Sequence, residues 1–223
     1  MLAPSPPPLS FILADNAGLD RPVLCVILDT EEEFDWAAPF SRANVLVESL
    51  AHIHRGQEIF RRFGVQPAYL MDHAVVADPR AADVFGPWLA AGECLAGAQL
   101  HPWVTPPDEE VVCPLNSYPC NLPPDLERRK LATLTQAITA RLGVAPRIYK
   151  AGRYGIDIRR EAMLAELGYE VDTSVMPYRD FSGLGGGPNF FGYPDRPFWT
   201  SAERQVLYLP VSQGLVGPLR HLG

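Results

Sequence analysis

Apolar residues fall in two kinds of pattern along this chain, short unbroken runs and longer stripes at helical spacing, and the two alternate. Residues 23–28 (VLCVIL) form a continuous run that ends in the acidic cluster DTEEEFDW. Such a run reads as a buried parallel strand with polar work at its carboxyl end. Residues 42–63 then carry Val45, Leu46, Leu50, Ile53, Ile59, Phe60 and Phe63 near helical spacing, closed by Gly64. A strand is expected at 67–71 (PAYLM) and a helix at 80–91 ended by Gly92. A further strand at 95–100 delivers His101. The clearest helix is 124–142, with proline at its start, Asp125 and Glu127 in its first turn and Gly143 after its end. Strands at 147–150, 169–175 and 206–211 and a helix at 157–167 complete the pattern.

Strand and helix alternating about six times implies a parallel sheet with crossover helices, an α/β fold. In such folds ligands sit at the carboxyl ends of the strands. The clusters DTEEE, QLHPW and KAGRYG each follow a strand, so they should converge on one rim. Residues 102–123 are rich in proline and turn formers; a loop of this length in a compact domain is usually functional or disordered. The segment GLGGG lacks the lysine and spacing of a phosphate-binding loop, so that reading is rejected.

Composition narrows the field. The 223 residues suit one domain, read here as residues 23–223 behind a flexible Pro-rich arm at 1–22. A formal charge of −7 argues against nucleic acid as a partner. No segment has the roughly 18 apolar residues of a membrane span, and the opening lacks the features of a signal peptide, so the cytoplasm is the expected compartment. Cys25, Cys94, Cys113 and Cys120 form no CxxC pair and are read as reduced thiols, with Cys25 a small core residue.

Chemistry should concentrate at the strand ends. Alternation along an extended chain puts Asp29 and Glu31 on one side and Thr30 and Glu32 on the other. A D-x-E pair there can supply a general base and a metal ligand together. His101 can complete a carboxylate–imidazole metal site, with Gln99 on the same side of its strand. His73, beside Asp72, is an alternative ligand, whereas His52 and His54 read as surface or packing residues and His221 stands near the end of the sequence. Lys150 and Arg153 can hold a catalytic carboxylate by charge-assisted hydrogen bonds, and Gly152 and Gly155 permit tight backbone geometry. Trp103, Trp36 and Tyr154 suit a saccharide wall or a subunit contact, and Asp172 can brace the site.

The ordered set LDTEEEFDW, GAQLHPWVTPP, NSYPCNLPP, YKAGRYG and DTSVMPY resembles the polysaccharide deacetylases (carbohydrate esterase family 4), in a cytoplasmic-looking bacterial branch, over about residues 23–217. The resemblance implies a distorted (β/α)7 barrel that removes N-acetyl groups from a saccharide with the help of a divalent ion, zinc first among them. It implies Asp29 as base, Glu31 and His101 as metal ligands with Asp29 or His73 as a third, and Lys150 or Arg153 orienting Asp29. Gln99, Trp103, Tyr154 and Asp172 are then expected to face the N-acetylated saccharide or a related amide. The chain departs from the family pattern in carrying Thr105 where a second histidine is usual and Gln99 where another could stand. No counterpart of a C-terminal histidine motif is evident, so the last barrel strands are expected to be incomplete or unusual. Two further readings stay open: a saccharide-binding relative without activity, and a metal-independent amidohydrolase acting on a small amide. The sequence leaves the oligomeric state undetermined.

Overall fold

Through the middle of the chain a strand is a short apolar segment stopped by a polar or glycine-rich turn, and a helix carries the chain back to begin the next. The computed structural model describes residues 11–15 and 18–214; His221 and most of the expected N-terminal arm lie outside them. In chain order the elements are β1 (Ile12–Leu13), β2 (Ile27–Thr30), α1 (His54–Arg62), β3 (Ala68–Met71), α2 (His73–Ala77), α3 (Arg80–Ala90) and β4 (Leu95–Leu100). There follow α4 (Pro124–Leu142), β5 (Ile148–Ala151), α5 (Glu161–Glu166), β6 (Val171–Asp172), β7 (Phe198–Trp199) and β8 (Leu207–Tyr208). The sheet order is β1-β7-β8-β6-β5-β4-β3-β2. Every pairing from β2 across to β8 is parallel, while β7 and β1 are added antiparallel.

The helices cover this sheet because their stripes match it. In α4, Leu131, Leu134 and Ile138 are fully buried, and the helix packs on α2, α3 and β4. Burial of each such side chain stabilises the fold by roughly 2 kcal/mol. Gly143 ends α4 in the left-handed conformation (φ 73°), with its N–H donating to the Thr139 carbonyl at 2.9 Å.

Three expectations in the N-terminal half are corrected. The strand expected at 23–28 begins at Ile27, four residues later, and Val23 and Leu24 are 64% and 76% exposed. Cys25 is exposed as well, rather than a core residue. An unbroken apolar run is a sign of burial only where strands flank it on both sides, and β2 is the margin of the sheet. The helix expected at 42–63 is helical only as a turn at Glu48–Ala51 and as α1. Ahead of these, tertiary bonds hold an irregular segment, with the Glu33 N–H donating to the Leu46 carbonyl (2.8 Å) and Arg42 donating to the Glu110 carbonyl (2.6 Å). Within α1 the buried side chain is Gln57, which accepts from the Tyr69 hydroxyl at 2.9 Å, while Ile59 is exposed.

Ile12–Leu13, inside the segment expected as an arm, pair with β7, and Phe11 packs on Phe198 and Tyr193. The parallel part of the sheet curls. A cavity of about 560 Å³ is lined on one side by Val23, Leu28 and Asp29 of the β2 side and on the other by residues 209–212 after β8. The two ends of the parallel run therefore face each other across a seam. No helix among the described residues is long and apolar enough to cross a membrane.

Candidate metal centre and active-site rim

Sheet register builds the site. Gln99 of β4 is level with Lys150 of β5, and Met71 with Ala98, so Asp72, one residue past β3, falls beside Gln99. His101 follows β4 directly, and the acidic run follows β2. A Cβ at Gly152, just past β5, would lie 2.5 Å from the His101 ring, so only glycine leaves the imidazole its place.

At the centre His101 is fully buried between carboxylates. Its Nδ1 lies 2.8 Å from Glu32 Oε2 and 3.9 Å from Asp72 Oδ2, and its Nε2 lies 3.5 Å from Glu31 Oε2. The Gln99 amide donates to Glu31 at 2.7 Å and lies 3.2 Å from His101 Nε2. Asp72 accepts from the Glu32 backbone N–H at 3.1 Å and, as N-cap of α2, from the Val75 N–H at 2.8 Å. The Trp103 ring stacks on the imidazole at 4.3 Å and 22°.

Burial sets the electrostatics. Desolvation raises the Glu32 carboxyl and pushes Asp72 well above its ordinary value, the two carboxyls lying against each other. The same desolvation lowers the His101 imidazole, against the pull of the surrounding carboxylates. Glu31, on the more open side, is also raised, first by burial. Ligand atoms of Glu32, Asp72 and His101 all lie within 4.8 Å of one another, a set that could hold a metal ion. The fit is chemical as well as spatial: two buried acids facing a neutral imidazole need either a shared proton or a cation.

A second group stands beside this one. Lys150 donates a short charge-assisted bond to Asp29 and lies 4.5 Å above the Tyr154 ring. Asp29 and Lys150 both line the seam cavity. Asp172 is buried behind them, accepting from Ser174 Oγ (2.7 Å) and from the Ser174 N–H (2.8 Å), with its carboxyl pushed up to about 7 by burial.

The residues singled out in the sequence divide accordingly. Glu31, Gln99 and His101 come together, and Lys150 pairs with Asp29. Arg153 turns elsewhere: in the left-handed conformation (φ 55°) it is sandwiched between Phe40 and Tyr118 and donates to Ser117 Oγ and the Leu184 carbonyl. Trp103, expected as an exposed wall, is 1% exposed because its indole is used against His101. Asp172 and Gln99 are likewise buried. His73 opens α2 and is not part of the ligand group, and the Thr105 side chain is buried.

Sequence reasoning passed over Asp72 and Glu32. Asp72 carries the same signal as the others, a polar residue directly after an apolar strand. Glu32 was assigned to the opposite side by strand alternation, which no longer applies because β2 ends at Thr30.

No family model and no curated protein matches this chain. Among solved structures, a provisionally named polysaccharide deacetylase from Mycobacterium smegmatis aligns with a TM-score of 0.52 at 15% identity, over 87% of this chain and 62% of its own. This chain thus spans less than two thirds of that protein's length. The deacetylase domain of BpsB from Bordetella bronchiseptica aligns with a TM-score of 0.46 at 11% identity, over 68% of this chain and 64% of its own. The chitin deacetylase of the fungal pathogen Colletotrichum lindemuthianum gives a TM-score of 0.42 at 17% identity, over 66% and 53%. With its curled parallel sheet and polar rim, the chain has the fold of the polysaccharide deacetylases.

Proposed function

We propose that this chain is a divalent-metal-dependent hydrolase that removes N-acetyl groups from a saccharide. The observation that carries the reading is the buried Glu32–Asp72–His101 group at the carboxyl ends of adjacent parallel strands, with two further carboxylates beside it. Glu32, Asp72 and His101 would hold the ion. When bound, a divalent cation there would polarise the acyl carbonyl and acidify a water molecule.

The chain's own residues supply the rest. Glu31 lies against His101 Nε2 on the open side of the group, which favours it as the acceptor of the water proton. Gln99 fixes that carboxylate by donating to Oε2. Asp29, read from the sequence as the base, is committed to Lys150, so the pair is better suited to set the charge and orientation of the bound acyl group. Glu32 Oε2 lies 2.8 Å from His101 Nδ1, so an ion held there would take the place of the proton that the two otherwise share. The Trp103 indole excludes water from one face of the imidazole.

Thr105 and the lack, among the described residues, of a second imidazole in the ligand group favour one alternative, a saccharide-binding protein without turnover. The separating experiment offers soluble N-acetylated saccharides to the purified chain with zinc, cobalt, manganese or nickel, and then with a chelator. The proposal expects acetate release that the chelator abolishes and metal restores. Release that survives complete metal removal, or binding without release under every metal, would overturn it.

A further inference from the structure

The seam between the two ends of the parallel run is apolar along its walls and charged where it meets the rim. Leu28 on one side and Leu209 and Val211 on the other line its cavity of about 560 Å³, and Asp29 and Lys150 line the same space. Val23, Leu24 and Cys25, which continue the first wall, are exposed despite their apolar character. A second cavity of about 700 Å³ shares Val23, Cys25, Leu209 and Pro210 with the first, so the groove runs on past Leu19 and Pro197. At the rim end, Lys150 donates to Asp29, and Gln99, level with Lys150 on the neighbouring strand, donates to Glu31 beside His101. The groove therefore starts next to the open side of the ligand group and leads away from it along the margin of the sheet.

We propose that this groove takes the hydrocarbon tail of the acyl group, so that the preferred substrates are sugars N-acylated with chains longer than acetyl. This deepens, and rests on, the acyl-hydrolase reading of the site. An acetyl methyl needs no more space than a water molecule, roughly 30 Å³, and would leave most of the cavity empty. A site of this size with apolar walls and a few placed polar groups suits an amphipathic ligand, its amide end at the Asp29–Lys150 pair and its tail between Leu28 and Val211. Each methylene moved from water into such a groove strengthens binding about fourfold. Hydrolysis breaks the same C–N bond: water gives its hydroxyl to the acyl carbon and a proton to the amine, releasing a longer carboxylic acid in place of acetate.

Calorimetry in the presence of zinc measures binding independently of turnover, with gluco-, galacto- and manno-configured hexosamines that carry N-acetyl, N-butanoyl or N-hexanoyl groups. Hexyl glycosides of the N-acetyl sugars control for a tail carried elsewhere on the ligand. Wild type is compared with Val211→Trp and Cys25→Trp, which fill the groove from opposite walls; Cys25 is exposed, so the second variant keeps the fold. In wild type, affinity for at least one configuration should rise at least about tenfold from acetyl to hexanoyl, and hexanoate should be released faster than acetate. Either variant should bring the hexanoyl sugar to within about twofold of the acetyl one, with N-acetyl and zinc affinity little changed. Affinity that is flat or falls with acyl length would overturn the proposal while leaving a protein that releases acetate a deacetylase. A length gain that survives in both variants would overturn it, as would a gain from the hexyl glycosides alone. A gain with acyl length, lost in the variants, in a protein that releases no acid under any metal would sustain the groove while the hydrolase reading fails.

Discussion

The Glu32–Asp72–His101 group is buried and its members answer one another, whereas Asp29 of β2 and Lys150 of β5 look onto a cavity. Asp72, Glu32 and His101 have almost no solvent contact, and burial shifts every one of them toward its neutral form. Asp29 is 38% exposed and pairs with a lysine that is itself nearly buried. The difference follows from position in the sheet. Asp72 and His101 follow strands with neighbours on both sides and the chain past Thr30 carries Glu32 in against them, while Asp29 stays on a margin that faces the seam. An enclosed group of acids and imidazole is suited to holding an ion, because neutralisation is what such a group lacks. A paired charge at an open mouth is suited to meeting substrate.

The comparison can be broken from either side. The closed corner depends on Lys130 of α4, which is buried and donates to the Pro102 (3.0 Å) and Thr105 carbonyls while pairing with Glu110 at 2.9 Å. Those bonds pin the turn that presses Trp103 onto His101. Lys130→Met leaves Glu110 buried and two carbonyls unanswered, so a loss of about 3–5 kcal/mol is expected in chemical denaturation. Unchanged stability would mean that the turn is held by something else. A smaller effect is expected from the open corner. Lys150→Met should lower deacetylation by about 10–100-fold, the range for partners that orient a reacting group, with zinc affinity retained. Loss of zinc in that variant would show that the two corners are one unit.

How far the sequence foretold this depends on where each element sits. β3, β4 and α4 appear within a residue of their expected bounds, because hydrophobic runs and helix caps are strong signals where packing surrounds the element. Residues 23–26 and 42–47 depart from the buried strand and the continuous helix that their pattern predicts. There a sheet margin and tertiary bonds from Glu33 and Arg42 decide the conformation, and neither is visible in local spacing. The site shows the same division. His101, Gln99, Glu31 and the Lys150–Asp29 pair were legible as polar residues at strand ends. The roles of Glu32 and Asp72 depend on which way the chain turns after β2 and on a helix cap, both of which are three-dimensional facts.

The most direct test of the central claim is zinc binding by calorimetry, comparing the wild type with Asp72→Asn, Glu32→Gln and Asp29→Asn, all confirmed as folded. The account expects about one ion per chain, with affinity lowered at least about 100-fold by Asp72→Asn or Glu32→Gln and little changed by Asp29→Asn. Full-strength binding in Asp72→Asn, or binding lost in Asp29→Asn alone, would contradict it.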